Sequence, residues 1–122
     1  MLPIMSSEIR LLSEVIRCVP SGSIWHISSD SWVGTKITFG ALLIDNTCDW
    51  QIMITDENRN AVVQKSEEEE VAEKGIHLDI ESENQTILFR GYDAMSFIGI
   101  DKSLYARLNP DNIPPDLEIS LD

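Results

Sequence analysis

The spacing of apolar residues changes once along this chain, near Pro20, and that change limits the fold more than any other feature. Before it, Ile9, Leu12, Val15, Ile16 and Val19 recur every three or four residues, with Leu11 beside them. This is the single stripe of an amphipathic helix. Ser6 or Ser7 supplies an N-cap, Glu8 suits the positive end of the helix dipole, and Pro20 with Gly22 stops the helix. Arg10, Glu14 and Arg17 fall largely off the stripe.

After Ser23 the period is two, the alternation of half-buried strands. In Ser23–Ser28, Trp25 and Ile27 share one face and Ile24 and His26 the other. Thr35–Ile44 aligns Ile37, Phe39, Ala41 and Leu43, with Gly40 marking a bulge, and Trp50–Thr55 aligns Trp50, Ile52 and Ile54. Ser29-Asp30-Ser31, Asp45-Asn46-Thr47 and Asp56–Asn60 are turn chemistry. Ala61–Lys65 continues the series as a strand. Ser66, with Glu69 three residues on, forms a capping box for a short acidic helix through Lys74, and Gly75 stands where a left-handed residue closes such a helix. Ile76–Glu81 alternates again, with Ile76, Leu78 and Ile80 inward. Thr86–Arg90 and Ala94–Ile100 are further strands, separated by Gly91-Tyr92-Asp93. Asp101–Leu108 makes a last helical turn or two with Leu104 and Leu108 inward.

The expected architecture is therefore α+β: an antiparallel sheet of about five to seven strands, packed by an N-terminal helix, with one short acidic helix mid-chain. Short connections between successive strands imply a meander. With 43% hydrophobic residues and 13.8 kDa, the chain forms one domain over residues 1–122. Pro110, Pro114 and Pro115 hold an extended tail from about residue 109. No apolar run spans a membrane, and the first residues lack the basic and apolar parts of a secretory signal. A cytoplasmic location is expected, in which Cys18 and Cys48 are separate thiols and the sequon Asn84-Gln85-Thr86 has no use.

Charge separates the function classes. Twenty-one acidic against 9 basic residues leave −12, a field that repels nucleic acid and steers cationic partners. Residues 1–61 carry −3 and residues 62–122 carry −9. The excess thus concentrates in Glu67, Glu68, Glu69, Glu70 and Glu73, and in Asp79, Glu81 and Glu83. A solvated face would show the same residues, but five glutamates on a two-turn helix repel one another, with Lys65 and Lys74 as the cations nearby. These eight acids, with Trp32 in its Ser-rich turn as an exposed aromatic, form the candidate partner-binding set. Trp25 and Trp50 lie on apolar strand faces and belong to the core.

Other chemistries leave weaker traces. Asp56, Asn58, Asn60 and Glu67 copy the spacing of a calcium loop, but Ala61 stands where the sharp turn needs glycine and a strand precedes the loop. His77, Asp79 and Glu81 share a strand face, yet one strand offers only a line of ligands. No nucleophile elbow, phosphate loop or metal-finger spacing occurs. Neither a cofactor nor a metal is expected, and the chain is not expected to be an enzyme.

In size, acidity, layout and missing catalytic apparatus the chain resembles the immunity proteins of bacterial toxin systems, such as those of contact-dependent growth inhibition. The resemblance spans the whole chain and rests on no motif. It implies stoichiometric binding to a cognate toxin domain, a basic nuclease in many such systems, whose active site is occluded. The expected partner is a basic protein, with no direct contact to nucleic acid and no membrane. The alternatives are a nucleic-acid-mimicking inhibitor, another acidic interaction module, or a small enzyme assembled from His26, His77 and scattered carboxylates.

Overall fold

The computed structural model describes residues 5–28, 41–43 and 50–122, and of Ala41–Leu43 the backbone alone. The readings at Trp32, at Cys48, over residues 35–40 and at the turns 29–31 and 45–47 lie outside these residues.

Helix α1 is Ser7–Cys18, and Ser6 caps it by accepting the Ile9 N–H at 3.3 Å. Its apolar stripe is buried as expected. Strands β1 (Ser23–Ile27), β2 (Ala41–Leu43) and β3 (Trp50–Ile54) follow, then helices α2 (Arg59–Glu68) and α3 (Val71–Lys74). Strands β4 (His77–Glu81), β5 (Ile87–Tyr92) and β6 (Phe97–Ile100) lead to helix α4 (Lys102–Tyr105), a 3₁₀ turn at Pro110–Asn112, and β7 (Ser120–Leu121). The strands form one sheet in the order β2-β3-β1-β4-β5-β6-β7. All pairings are antiparallel except β6 with β7. The α+β class holds.

The meander does not. Strand β1 lies between β3 and β4 and pairs with both, so the chain crosses over β1 to reach β4. That crossover contains the segment Ala61–Lys65, which is helical rather than a strand. Its β-branched Val62 and Val63 favour a strand locally, but both are buried in the shared core beneath α1. Helical spacing also places Gln64 within reach of Glu68, and Lys65 3.1 Å from Glu69. Packing and these pairs outweigh the local preference.

The capping box is displaced by the same shift. Ser66 lies inside α2, 2% exposed, with its hydroxyl donating to the Val63 carbonyl. Asn58 starts the helix instead. Glu70, at φ 53°, is the left-handed link between α2 and α3, whereas Gly75 is extended at φ −74°. The helix N-terminus is thus earlier in the chain, and the glutamate run closes a helix rather than opening one.

One face of the sheet supplies the core. Ile52, Trp25, Ile80, Phe89 and Ile100 stand opposite one another in register across β3, β1, β4, β5 and β6, and all are fully buried. They join the buried residues of α1, α2 and α3 in one cluster. Leu104 and Leu108 complete it, as their spacing implies. Trp50 packs against its margin.

Glu14 departs from the expectation of an outward position. It is 4% exposed, covered by the segment after residue 108. Its carboxylate accepts the Asn109 backbone N–H at 2.9 Å, the Asn112 amide at 2.8 Å and the Cys18 thiol at 3.2 Å. Thus the proline-containing tail is extended only in part: it is fastened to α1 and ends by pairing with β6.

Candidate functional site

The predicted acidic set divides between two sides of the sheet. Leu78 and Ile80 of β4 point into the core, so His77, Asp79 and Glu81 point to the opposite face, away from α2 and α3. Glu67, Glu68, Glu69, Glu70 and Glu73 belong to the helical side. Glu83 lies beyond β4, its carboxylate folded over Gly22, where an added Cβ would fall 2.0 Å from Oε1. The structure therefore does not bring the eight acids together on one surface.

On the helical side, much of the cluster is already occupied. Glu67 accepts the Ser13 hydroxyl at 2.7 Å and lies 3.6 Å from the Arg17 guanidinium. Gln64 donates to Glu68, and Lys65 pairs with Glu69. Among the described residues, the carboxylates of Glu70 and Glu73 have no such partner and stand exposed. The i,i+4 repulsion expected of the run is relieved mostly by neighbours on α1 and α2.

The other sheet face carries two cross-strand rows. Gln51, His26, Asp79, Arg90 and Gly99 are opposite one another in register from β3 to β6. His77, Tyr92 and Phe97 form the next row. The buried residues of α1, α2 and α3 lie in the core on the opposite face. The His26 ring, with its proton on Nε2, donates to Glu81 at 2.8 Å, while Nδ1 faces the Gln51 amide at 3.4 Å. Both imidazole nitrogens are thereby engaged, which suits a positioned strut better than a free base.

Asp79 differs from the other acids. Burial pushes its carboxyl above the ordinary carboxylate range, and the neighbouring Tyr92, Arg90, His77 and His26 offset only part of that. Its Oδ1 is buried without a hydrogen-bond partner. Burial, followed by the charge of Asp79, raises the Tyr92 phenol in turn. Next to it, Tyr92 stacks on Phe97 with centroids 5.7 Å apart, and His77 and Tyr92 meet in a T-shape with centroids 5.2 Å apart. Phe97 is 45% exposed.

This row of three rings was not singled out from sequence. The available signal was the alternation Phe97-Ile98-Gly99-Ile100, which puts Phe97 and Gly99 opposite the two isoleucines. A turn of unusual backbone holds the row in place. Asp93, Ala94 and Met95 are all left-handed, at φ 53°, 57° and 64°. Asp93 and Ala94 donate back to the carbonyls of Ile76 and Gly75, and Met95 is buried against Gly91.

Elsewhere, burial and then Glu14 push the Cys18 thiol up to about 11, which keeps it protonated and unreactive at neutral pH. In the segment with calcium-loop spacing, Asp56 pairs with Arg59 at 2.9 Å, and the Asn58 amide donates to the Met53 carbonyl. Among the described residues no group of three His, Cys, Asp or Glu side chains is arranged to hold a metal. None of the described helices is long and apolar enough to cross a membrane. Compared with protein-family models, with curated proteins and with solved structures, the chain matches none.

Proposed function

We propose that this protein is a binding module that captures and neutralises a basic protein partner, in the manner of an immunity protein acting on a toxin domain. The observation that carries the proposal is the acid excess that the fold leaves unpaired. Glu70, Glu73, Glu83 and Glu118 are exposed and have no ion-pair partner among the described residues, in a chain of formal charge −12. Such a field raises the encounter rate with a Lys/Arg-lined cleft and is costly to keep otherwise. A nuclease cleft that holds phosphates has the matching sign, and covering it would block substrate entry. The partner is identified by affinity capture from the native organism followed by mass spectrometry, and its association rate is then measured against salt. Recovery of a basic toxin domain whose association slows steeply with added salt is the expected outcome. Association indifferent to salt would remove the electrostatic basis of the proposal.

One observation favours a second reading, a small enzyme. The register places His26 directly opposite Asp79, with His77 on the same strand face. A carboxyl with a raised affinity for protons beside an exposed histidine is the chemistry of general acid–base catalysis. Under that reading His77→Ala abolishes activity, whereas a binding module tolerates it unless His77 lies in the interface.

A further inference from the structure

The margin of the sheet where β6 meets β7 presents an aromatic ring among carboxylates, beside a stretch of β6 that β7 does not pair. Pairing with β7 covers only Gly99 and Ile100 and stops short of Phe97 and Ile98. Beyond its end, a groove of about 390 Å³ opens between Phe97 and Ile98 on one side and Glu118 and Ile119 on the other, with Ser96 and Ser120 at its ends. The Phe97 ring leans over Gly99: a Cβ added there would sit 3.4 Å from the ring and 3.3 Å from the Asp122 carboxylate. Ring and carboxylate thus converge on the dent that the glycine leaves. Among the described residues neither Glu118 nor Asp122 has an ion-pair partner for its side chain, and both are exposed.

We infer that this groove seats a lysine or arginine side chain of the basic partner, held against the Phe97 ring by the Glu118 carboxylate in the groove, with the Asp122 carboxylate beside the ring at Gly99. It presumes the basic partner proposed above and says where on this chain that partner docks. An exposed aromatic ring attracts a cation through its quadrupole, and nearby carboxylates add charge-assisted hydrogen bonds. Tyr92, stacked on the ring, and His77 beyond it keep the platform rigid, so little side-chain entropy is lost on binding. The cations close by are Arg90, which is opposite Gly99 and faces the half-buried Asp79, and Lys102, whose backbone N–H donates to the Asp122 carbonyl at 3.2 Å. Asp79, Glu118 and Asp122 set three acids against these two cations. The helical glutamates carry more charge, but they offer no comparable apolar surface: their large neighbours Val62, Val63 and Val71 are buried.

The test is a two-dimensional ¹⁵N-amide NMR titration of the full chain at low ionic strength, with a hexa-arginine peptide as the probe. Three proteins are compared: wild type, Phe97→Ala, and the double variant Glu118→Gln/Asp122→Asn. Their circular dichroism spectra are checked first, and because all three side chains are exposed, folding is retained. Shifts centred on residues 96–99 and 118–122 are expected, with affinity lowered roughly three- to tenfold by Phe97→Ala and similarly by the double variant. Peptide binding whose shifts centre on Glu68, Glu70 and Glu73, with unchanged affinity in both variants, overturns the groove and leaves the basic partner standing. Absence of binding by wild type overturns both.

Discussion

Glu14 offers the sharpest stability test, because two opposing terms meet on one buried carboxylate. Burial alone would raise its affinity for protons; the Asn109 N–H, the Asn112 amide, the Cys18 thiol and the nearby Arg17 together outweigh this and leave it below its ordinary value of 4.5. The ionised form is therefore the one the fold prefers, and removing the charge must destabilise. In Glu14→Gln, the Asn112 side-chain amide can turn over and present its oxygen, so the number of hydrogen bonds is kept and only their charge is lost. A bond to a charged group contributes about 1.5–3 kcal/mol and a neutral one about 0.5–1.5. Two strong bonds would then lose about 2 kcal/mol, reduced by relief of the buried charge to about 1–2 kcal/mol. Glu14→Ala leaves the Asn109 and Asn112 donors without an acceptor and should cost about 3–4 kcal/mol. Urea denaturation followed by tryptophan fluorescence, to which the buried Trp25 contributes, measures both, with an unchanged slope and a lower midpoint expected. The pH dependence fixes the sign. A depressed carboxyl contributes stability above its unfolded value and loses it as pH falls through the lower folded value, so the gap between wild type and Glu14→Gln should close below about pH 4.5. Equal stability of the two proteins at pH 7, or a gap that persists unchanged to pH 3, would refute the argument.

Three further outcomes are expected. Arg59 donates at 2.8 and 2.7 Å to the Ile16 and Val19 carbonyls at the end of α1, so Arg59→Ala should cost about 2–3 kcal/mol in the same denaturation assay; a loss below about 0.5 kcal/mol would mean that water replaces the guanidinium. Ala94, left-handed at φ 57°, should gain about 0.5–1 kcal/mol on replacement by glycine, read as a rise in thermal midpoint, and a fall would show that the turn is held without strain. Asp79 has the opposite sign to Glu14: its raised carboxyl weakens the fold when ionised and stabilises it as pH falls through the folded value. Asp79→Asn should therefore be more stable than wild type at pH 7 and lose that advantage in acid, and a destabilised Asn variant would contradict the burial argument.

Elements whose own period determined their burial were legible in the sequence. The α1 stripe, the inward Trp25 and Ile27, the alternation of β4 and the inward Leu104 and Leu108 are all local patterns that packing respects. The failures occur where a distant element decided the outcome. Val62 and Val63 read as a strand because nothing nearby shows that α1 waits to cover a helix at that point. Glu14 reads as solvent-facing because its partners Asn109 and Asn112 lie 95 and 98 residues away. For the candidate site, the composition of the acidic run was visible but its division between two sides of the sheet was not. That division follows from Ala61–Lys65 being helical, which carries the glutamate run over the core face while β4 points its own acids the other way. The Phe97 platform depends on a cross-strand register that no local pattern contains.

The crossover that leaves β1 between β3 and β4 also orders events in time. A ribosome releases residues from the N-terminus onward, at about 5–20 per second. Strand β1 emerges early, but one of its two edges stays open until residues 77–81 have followed. Helix α1 waits longer still, because the groups that satisfy Glu14 belong to residues 109 and 112. Until β4 has emerged the nascent chain holds a central strand with one bare side, the state most exposed to wrong pairing. The hydrogen bonds of Asn109 and Asn112 to Glu14 therefore form after β1 has gained both of its neighbours.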